Sequence, residues 1–168
     1  SNWNKQTENW ANELEFEKAY RLSDIVRRLA ERYDDRAMLA EMLFHRAKIA
    51  EAAGDHQAAI PMYAEMIDVF ASSAYRAQAN YEESKLYGFA LNNVALALRE
   101  LGRFEEALLR YDEAIEEKSS WVRESPSESN QRSLASSHIG RAWSLRDLGR
   151  LDEAFEAIDL ADSLYTQG

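Results

Sequence analysis

A chain of 168 residues has room for one compact domain or one short repeat array, and 46 % hydrophobic against 30 % charged residues is the make-up of a folded protein. Six Gly, two Pro and no Cys argue against a turn-rich β architecture, a disulfide framework, thiolate catalysis and cysteine-bound zinc, which leaves a helical chain suited to a reducing compartment. Twenty basic and 30 acidic side chains give a net charge of −10, so neither nucleic acid nor an anionic membrane is an expected partner.

No apolar run approaches the ~18 residues of a membrane span, and none follows a basic start as in a secretory leader, so a cytoplasmic location is expected. The opening Ser1-Asn2 lacks an initiator Met, which leaves open that the chain is a segment of a longer protein. From Trp10 to Leu29, apolar residues at Ala11, Leu14, Leu22, Ile25, Val26 and Leu29 fall at three- and four-residue spacings, the pattern of an amphipathic helix. Asp34-Asp35 interrupts it, and either carboxylate can cap a second helix whose stripe of Met38, Leu43, Ala47 and Ala50 runs to Ala53. Gly54-Asp55 then closes one helix and opens the next, because Gly accepts the left-handed conformation past a helix end and Asp is a natural N-cap. Pro61 falls inside the following helical pattern and predicts a kink over 56–70 instead of an end. In Glu124-Ser-Pro-Ser-Glu-Ser129, Pro126 marks a true break, with Ser and Asn after it to cap a new helix.

The punctuation of Gly54 recurs at Gly102 and Gly149, at intervals of 48 and 47 residues. The strongest copy is nearly verbatim: Leu98-Arg-Glu-Leu-Gly-Arg-Phe-Glu-Glu-Ala-Leu108 lies over Leu145-Arg-Asp-Leu-Gly-Arg-Leu-Asp-Glu-Ala-Phe155. Self-similarity at a fixed period identifies a stacked repeat protein before any side-chain chemistry does. The unit around Gly102 carries Leu91, Val94, Ala95, Leu98, Phe104, Ala107, Tyr111 and Ala114, and that around Gly149 carries His138, Arg141, Ala142, Leu145, Leu151, Ala154, Ile158 and Ala161. The first unit has Leu43, Arg46, Ala47, Ala50, His56, Ala59, Tyr63 and Met66, and Phe16, Ala19 and Val26 fit the second helix of a preceding half unit whose first helix lies around Trp3 and Trp10.

With Ala-x3-Tyr-x2-Ala as its specific part, this pattern resembles the tetratricopeptide repeat family over most of residues 12–165. The resemblance implies an all-α, right-handed superhelix of antiparallel hairpins, with a half unit over about 3–33 and units over about 35–71, 79–123 and 130–166. Two departures stand out: units of 47–48 residues against the usual ~34, and Met66 at a position the family keeps small. Some thirteen extra residues per unit predict longer helices, over 72–86 and 119–133 in particular.

Each first helix also carries a second stripe at constant offset, which the resemblance places on the concave surface where extended peptides or partner helices bind. It sets Phe44, Asn92 and Ile139 in one row, Lys48, Leu96 and Trp143 in a second, and Glu51, Arg99 and Arg146 in a third, with His45, Asn93 and Gly140 beside the first. Apolar anchors beside paired arginines suit a peptide or helix with aromatic or aliphatic residues next to carboxylates. Asn93 matches one residue of the family's carboxylate clamp, but Phe44, Leu96 and Gly140 replace other clamp positions, so binding of chaperone C-terminal tails is not expected.

The last helix, about 151–166, has an apolar arc too wide for packing on one side: Phe155, Ile158, Leu160, Leu164 and Tyr165 predict contact with a second copy or with a further repeat. His45, His56 and His138 lie in different units without metal-ligand spacing, and no phosphate loop, nucleophile elbow or dinucleotide fingerprint occurs, so neither a cofactor, a metal nor a catalytic residue is expected. Acidic pairs such as Glu105-Glu106 and Asp152-Glu153 read as solvated first turns of helices. Met38, Met42, Met62 and Met66 all fall in the first hairpin and read as core filling, with a Met-lined binding surface as the alternative. The functional expectation is a protein-interaction scaffold in signalling or regulation, the alternatives being a peptide sensor that changes conformation and a self-association module.

Overall fold

The structure, a computed structural model, describes residues 17–18, 21–71 and 81–166. The expected helix around Trp3 and Trp10, and the start of the expected extension over 72–86, lie outside the described residues. Helix α1 covers 21–33, and it is followed by α2 (Arg36–Ala52), α3 (His56–Ala71), α4 (Tyr81–Glu100), α5 (Phe104–Glu124), α6 (Glu128–Asp147) and α7 (Leu151–Thr166). Among the described residues there is no strand. The hairpins α2–α3, α4–α5 and α6–α7 stack through α3 on α4 and α5 on α6, so the molecule is an all-α solenoid.

The same turn joins the two helices of every hairpin. Gly54, Gly102 and Gly149 sit at φ +78°, +74° and +77°, a region that a Cβ disfavours. In the second turn the Gly102 N–H donates to the Arg99 carbonyl and the Arg103 N–H to the Leu98 carbonyl, both at 2.9 Å. Gly54-Asp55 and Gly149-Arg150 repeat the pair on Glu51 and Ala50 and on Arg146 and Leu145. Carbonyls orphaned at the helix end are thereby satisfied. The start of the next helix varies: Asp55 accepts from the Ala58 N–H at 2.9 Å, whereas Arg103 and Arg150 instead clamp Glu106 and Glu153 with paired hydrogen bonds of 2.5–2.7 Å.

Small residues where helices cross let the backbones approach. Ala47, Ala59, Ala95, Ala107, Ala114, Ala142 and Ala157 are buried, and Met66 is fully buried among them. A Cβ on Gly140 would come within 2.4 Å of the Tyr111 ring, and one on Gly88 within 2.5 Å of Trp121. Helix α3 continues through Pro61, and Asp35, not Asp34, caps α2 by accepting from the Met38 N–H.

Extra length goes into helices, as expected: α4, α5 and α6 have 20, 21 and 20 residues. The break at Pro126 spans only Ser125 to Ser127, whose hydroxyl accepts from the Asn130 N–H, while buried Asn130 donates through Nδ2 to the Ser125 carbonyl at 2.8 Å. The lengthened ends of α4 and α5 hold Trp121, whose Nε1 donates to Ser84 Oγ at 2.9 Å as that hydroxyl donates to Glu117 at 2.6 Å.

One turn before Trp121, Lys118 is 1 % exposed. Its Nζ donates to Ser137 Oγ at 2.8 Å and the Ser133 carbonyl at 3.1 Å, Ser137 in turn donates to Asn92 Oδ1, and the ammonium lies 5.6 Å from the Phe89 ring centre. No carboxylate among the described residues pairs with it, and burial lowers its pKa from 10.5 to about 7. An unfolded chain keeps this proton up to the ordinary lysine range, whereas the fold has released it above about pH 7, so stability rises with pH across that window. The unfolding free energy, from urea titrations, is expected to increase by about 2–3 kcal/mol between pH 7 and 9.5, and Lys118→Met to flatten that slope. An unchanged slope in the variant would refute this account.

Candidate functional site

The stripe expected to face a partner runs along α2, α4 and α6, and its residues differ in what they still offer to solvent. Phe44 is half-buried and meets Tyr63 edge-on, the ring centres 6.2 Å apart. Asn92 is held by Ser137, and Asn93, Leu96, Ile139 and Gly140 are half-buried. These residues spend much of their surface on packing between hairpins, so the first row contributes shape more than exposed anchors. Lys48, His45, Trp143 and Arg146 are exposed.

The sequence-predicted residues that the fold does bring together are Arg99, Trp143 and Arg146. The Arg99 guanidinium from α4 lies 4.9 Å from the Trp143 ring centre and that of Arg146, one turn along α6, lies 5.8 Å from it. Trp143 keeps 46 % of its surface exposed, so the indole is fixed at its sides and open to solvent. Cation–π contacts of this kind contribute about 0.5–1 kcal/mol each at exposed sites. Arg99 is otherwise well covered: its side chain is 13 % exposed, Nη2 bonds to Glu100 at 2.5 Å, and Nε is buried without a hydrogen bond among the described residues. Arg146 pairs with its neighbour Asp147 at 2.6 Å.

At the first hairpin the third row carries an acid. Glu51, 9 % exposed in its side chain, accepts from Lys48 Nζ at 2.6 Å. Burial, reinforced by the Glu51 charge, holds the Tyr63 phenol well above its usual pKa, and Asn93 opposes this. The polar residues of this stripe are therefore mostly satisfied within the chain, and the Trp143 surface is its most open apolar feature.

His45 lines a cleft of about 290 Å³ between α1 and α2 together with Leu22, Val26, Met38 and Met42. Met42 and Met66 are buried, whereas Met38 is 37 % exposed in that cleft, so the methionines divide between core and surface. His56 begins α3, and His138 is half-buried, its pKa lowered chiefly by desolvation. Among the described residues no group of three or more His, Asp or Glu is placed to hold a metal ion, and no helix is long and apolar enough to cross a membrane.

Hairpins of this kind, with an alanine-lined crossing, repeat through the described chain, and residues 90–117 match the tetratricopeptide repeat family. That match covers one hairpin of the array, the end of α4 and most of α5. Among solved structures, the crystal structure of BtubC (BKLC) from P. vanneervenii is similar, with a TM-score of 0.64 and 20 % identity over 94 % of this chain and 58 % of that one. The likeness is one of fold, and this chain spans little more than half the length of BtubC. No curated protein matches the sequence. The fold typically serves binding and not catalysis.

The two tryptophans of the described repeats are expected to differ in what truncation costs. Trp121→Ala empties a fully packed site and should lower the unfolding free energy by about 3–5 kcal/mol. Trp143→Ala loses two exposed cation–π contacts and should cost about 1–2 kcal/mol. Urea unfolding followed by far-ultraviolet circular dichroism compares them, and equal losses would show that Trp143 is a packing residue.

Proposed function

We propose that this tetratricopeptide repeat protein is an interaction scaffold whose first helices bind a peptide or helix of a partner, with Trp143 as apolar anchor and Arg99 and Arg146 as recognition groups for carboxylates. The observation that carries this reading is the indole held open between two guanidinium groups from adjacent hairpins. Exposed Trp and Arg are the residue types that dominate binding energies at protein interfaces. Planar guanidinium groups favour carboxylates, since two parallel N–H donors match two oxygens. Both arginines already touch an acid of their own helix, Glu100 or Asp147, so an incoming carboxylate exchanges one contact for another and adds specificity more than affinity. The ligand class that fits is an extended or helical segment with an aromatic or aliphatic residue beside Asp or Glu. Phe44, His45, Lys48, Asn92, Asn93, Leu96 and Ile139 would then shape the remainder of the surface. A role in signalling or regulation is part of this proposal, since a stiff repeat surface brings partners together without chemistry of its own.

The test is selection from a displayed peptide library, followed by calorimetry on the enriched sequences. Enrichment of acidic–aromatic pairs is expected, with Trp143→Ala and Arg99→Glu each weakening binding at least tenfold while the helical signal at the working temperature stays intact. Selected peptides that bind both variants as well as the parent chain would remove this surface from consideration.

A further inference from the structure

The three interfaces between a second helix and the first helix that follows it share one register. Asp24 on α1 pairs with Arg46 on α2, and Asp112 on α5 pairs with Arg141 on α6, each at 2.7 Å. At the interface between them the same two places hold Ala64 and Val94. One residue earlier, the second helices carry Ser23, Tyr63 and Tyr111, and the first helices opposite carry His45, Asn93 and Gly140. Tyr63 and Tyr111 are sealed, at 0 and 2 % exposure, and the Tyr111 ring takes the space that a side chain on Gly140 would need. Between α1 and α2 no such ring is supplied from either side. Helix α1 offers only the short side chain of Ser23, and the His45 side chain opposite is 68 % exposed, turned to solvent and not inward.

The place left by the ring is an open cleft. It measures about 290 Å³, and Leu22, Val26, Met38, Met42 and Ile49 give it apolar walls beside Ser23. That volume stands at the lower limit, about 300 Å³, of pockets for small ligands, and it suits a single side chain. Leu22 and Met38 are 63 and 37 % exposed, so a ring entering the cleft withdraws apolar surface from water. Methionine walls favour an aromatic entrant, because the thioether is adaptable in shape and makes favourable contacts with ring edges. His45 lines the cleft and also belongs to the candidate binding stripe, so the two surfaces are continuous. Asn93 faces the Tyr63 phenol, and His45 stands at the same register position, which gives a phenol hydroxyl in the cleft a polar counterpart.

We infer that the cleft between α1 and α2 is a socket for a tyrosine side chain of a partner segment lying along the first-helix stripe, its ring taking the place that Tyr63 and Tyr111 fill at the other interfaces. The source of the ring rests on the proposed function of that stripe, whereas the socket itself does not. In the test, the full chain, isotope-labelled at its methionine methyl groups, is titrated with p-cresol and with N-acetyl-tyrosinamide and followed by nuclear magnetic resonance. Saturable shifts of Met38 and Met42 are expected with both probes, while Met62 and Met66, which do not line the cleft, move little. Ser23→Tyr, which supplies the ring from within, should weaken binding of both probes at least tenfold. Met38→Trp, at an exposed position and read on Met42, should do the same and serves where Ser23→Tyr does not fold. Absence of saturable shifts at Met38 and Met42, or shifts that persist in a folded variant, would overturn the inference. Binding of p-cresol without N-acetyl-tyrosinamide would also overturn it, assigning the cleft to free phenols. Nuclear Overhauser contacts in the probe-free chain from these methyl groups to an aromatic ring of residues 1–20 would assign it to the chain's own opening segment instead. Probes of one side chain do not need the Trp143 surface, so this result and the peptide selection can fail separately.

Discussion

Every larger feature of this molecule depends on one contact: the tyrosine-centred stripe of a second helix against the first helix of the following hairpin. Tyr63 and Tyr111 occupy its centre, and both are sealed from solvent. Because backbone separation there is set by Gly140 in one case and by alanines on either side, a single added methyl group at Gly140 would have to displace the whole Tyr111 ring. Such an interface tolerates little adjustment. It therefore fixes the relation of each hairpin to the next, and with it the separation of α4 from α6 that brings Arg99 over Trp143.

Ion pairs at the same interfaces act on register more than on stability. Arg46–Asp24 and Arg141–Asp112 are partly exposed on the acid side, and pairs of that kind contribute about 0–1 kcal/mol. An arginine left opposite an apolar neighbour would still lose its partner and its hydrogen bond, so the pairing discriminates one stacking order from another. The uncharged Ala64 and Val94 at the middle interface keep that order distinct, since neither can satisfy a charge from the flanking hairpins.

The architecture was legible because the turn and the crossing are local and repeated. Gly54, Gly102 and Gly149 announce a left-handed residue, and alanines at fixed distance announce a close helix approach. The break at Pro126 could be read from the ring that removes a donor. What escaped the sequence reading was chemistry that only stacking creates. Lys118 reads as an ordinary solvated charge in Glu116-Glu-Lys118, yet it lies at the repeat position of Phe70 and ends up buried among Ser133, Ser137 and Phe89. Trp121 was equally silent, since its partner Ser84 is 37 positions away. The one signal that could have found both was the repeat register itself, carried past the tyrosine to the end of each second helix. At the candidate binding stripe, helical spacing put residues on one line but could not say how much of Phe44 or Asn92 the neighbouring hairpin would cover.

The lengthened units explain why that coverage is uneven. In a short hairpin the second helix ends soon after its tyrosine, and the first-helix stripe meets only one neighbour along its length. Here α5 continues three turns beyond Tyr111 to Glu124, and its additional residues reach past α4 to α6. Lys118 thus ties α5 to Ser133 and Ser137 of α6, and Ser137 passes the link to Asn92 of α4, two elements earlier. The early turns of α4 and α6 are consumed by this polar seam, while their last turns, where Arg99, Trp143 and Arg146 stand, lie beyond its reach. A surface whose anchor is held by two flanking cations loses little side-chain freedom when a ligand arrives, because the indole is already in place. Extension of the helices at one end therefore leaves recognition to the other, and the same length that stiffens the array concentrates the open chemistry of its stripe on Trp143.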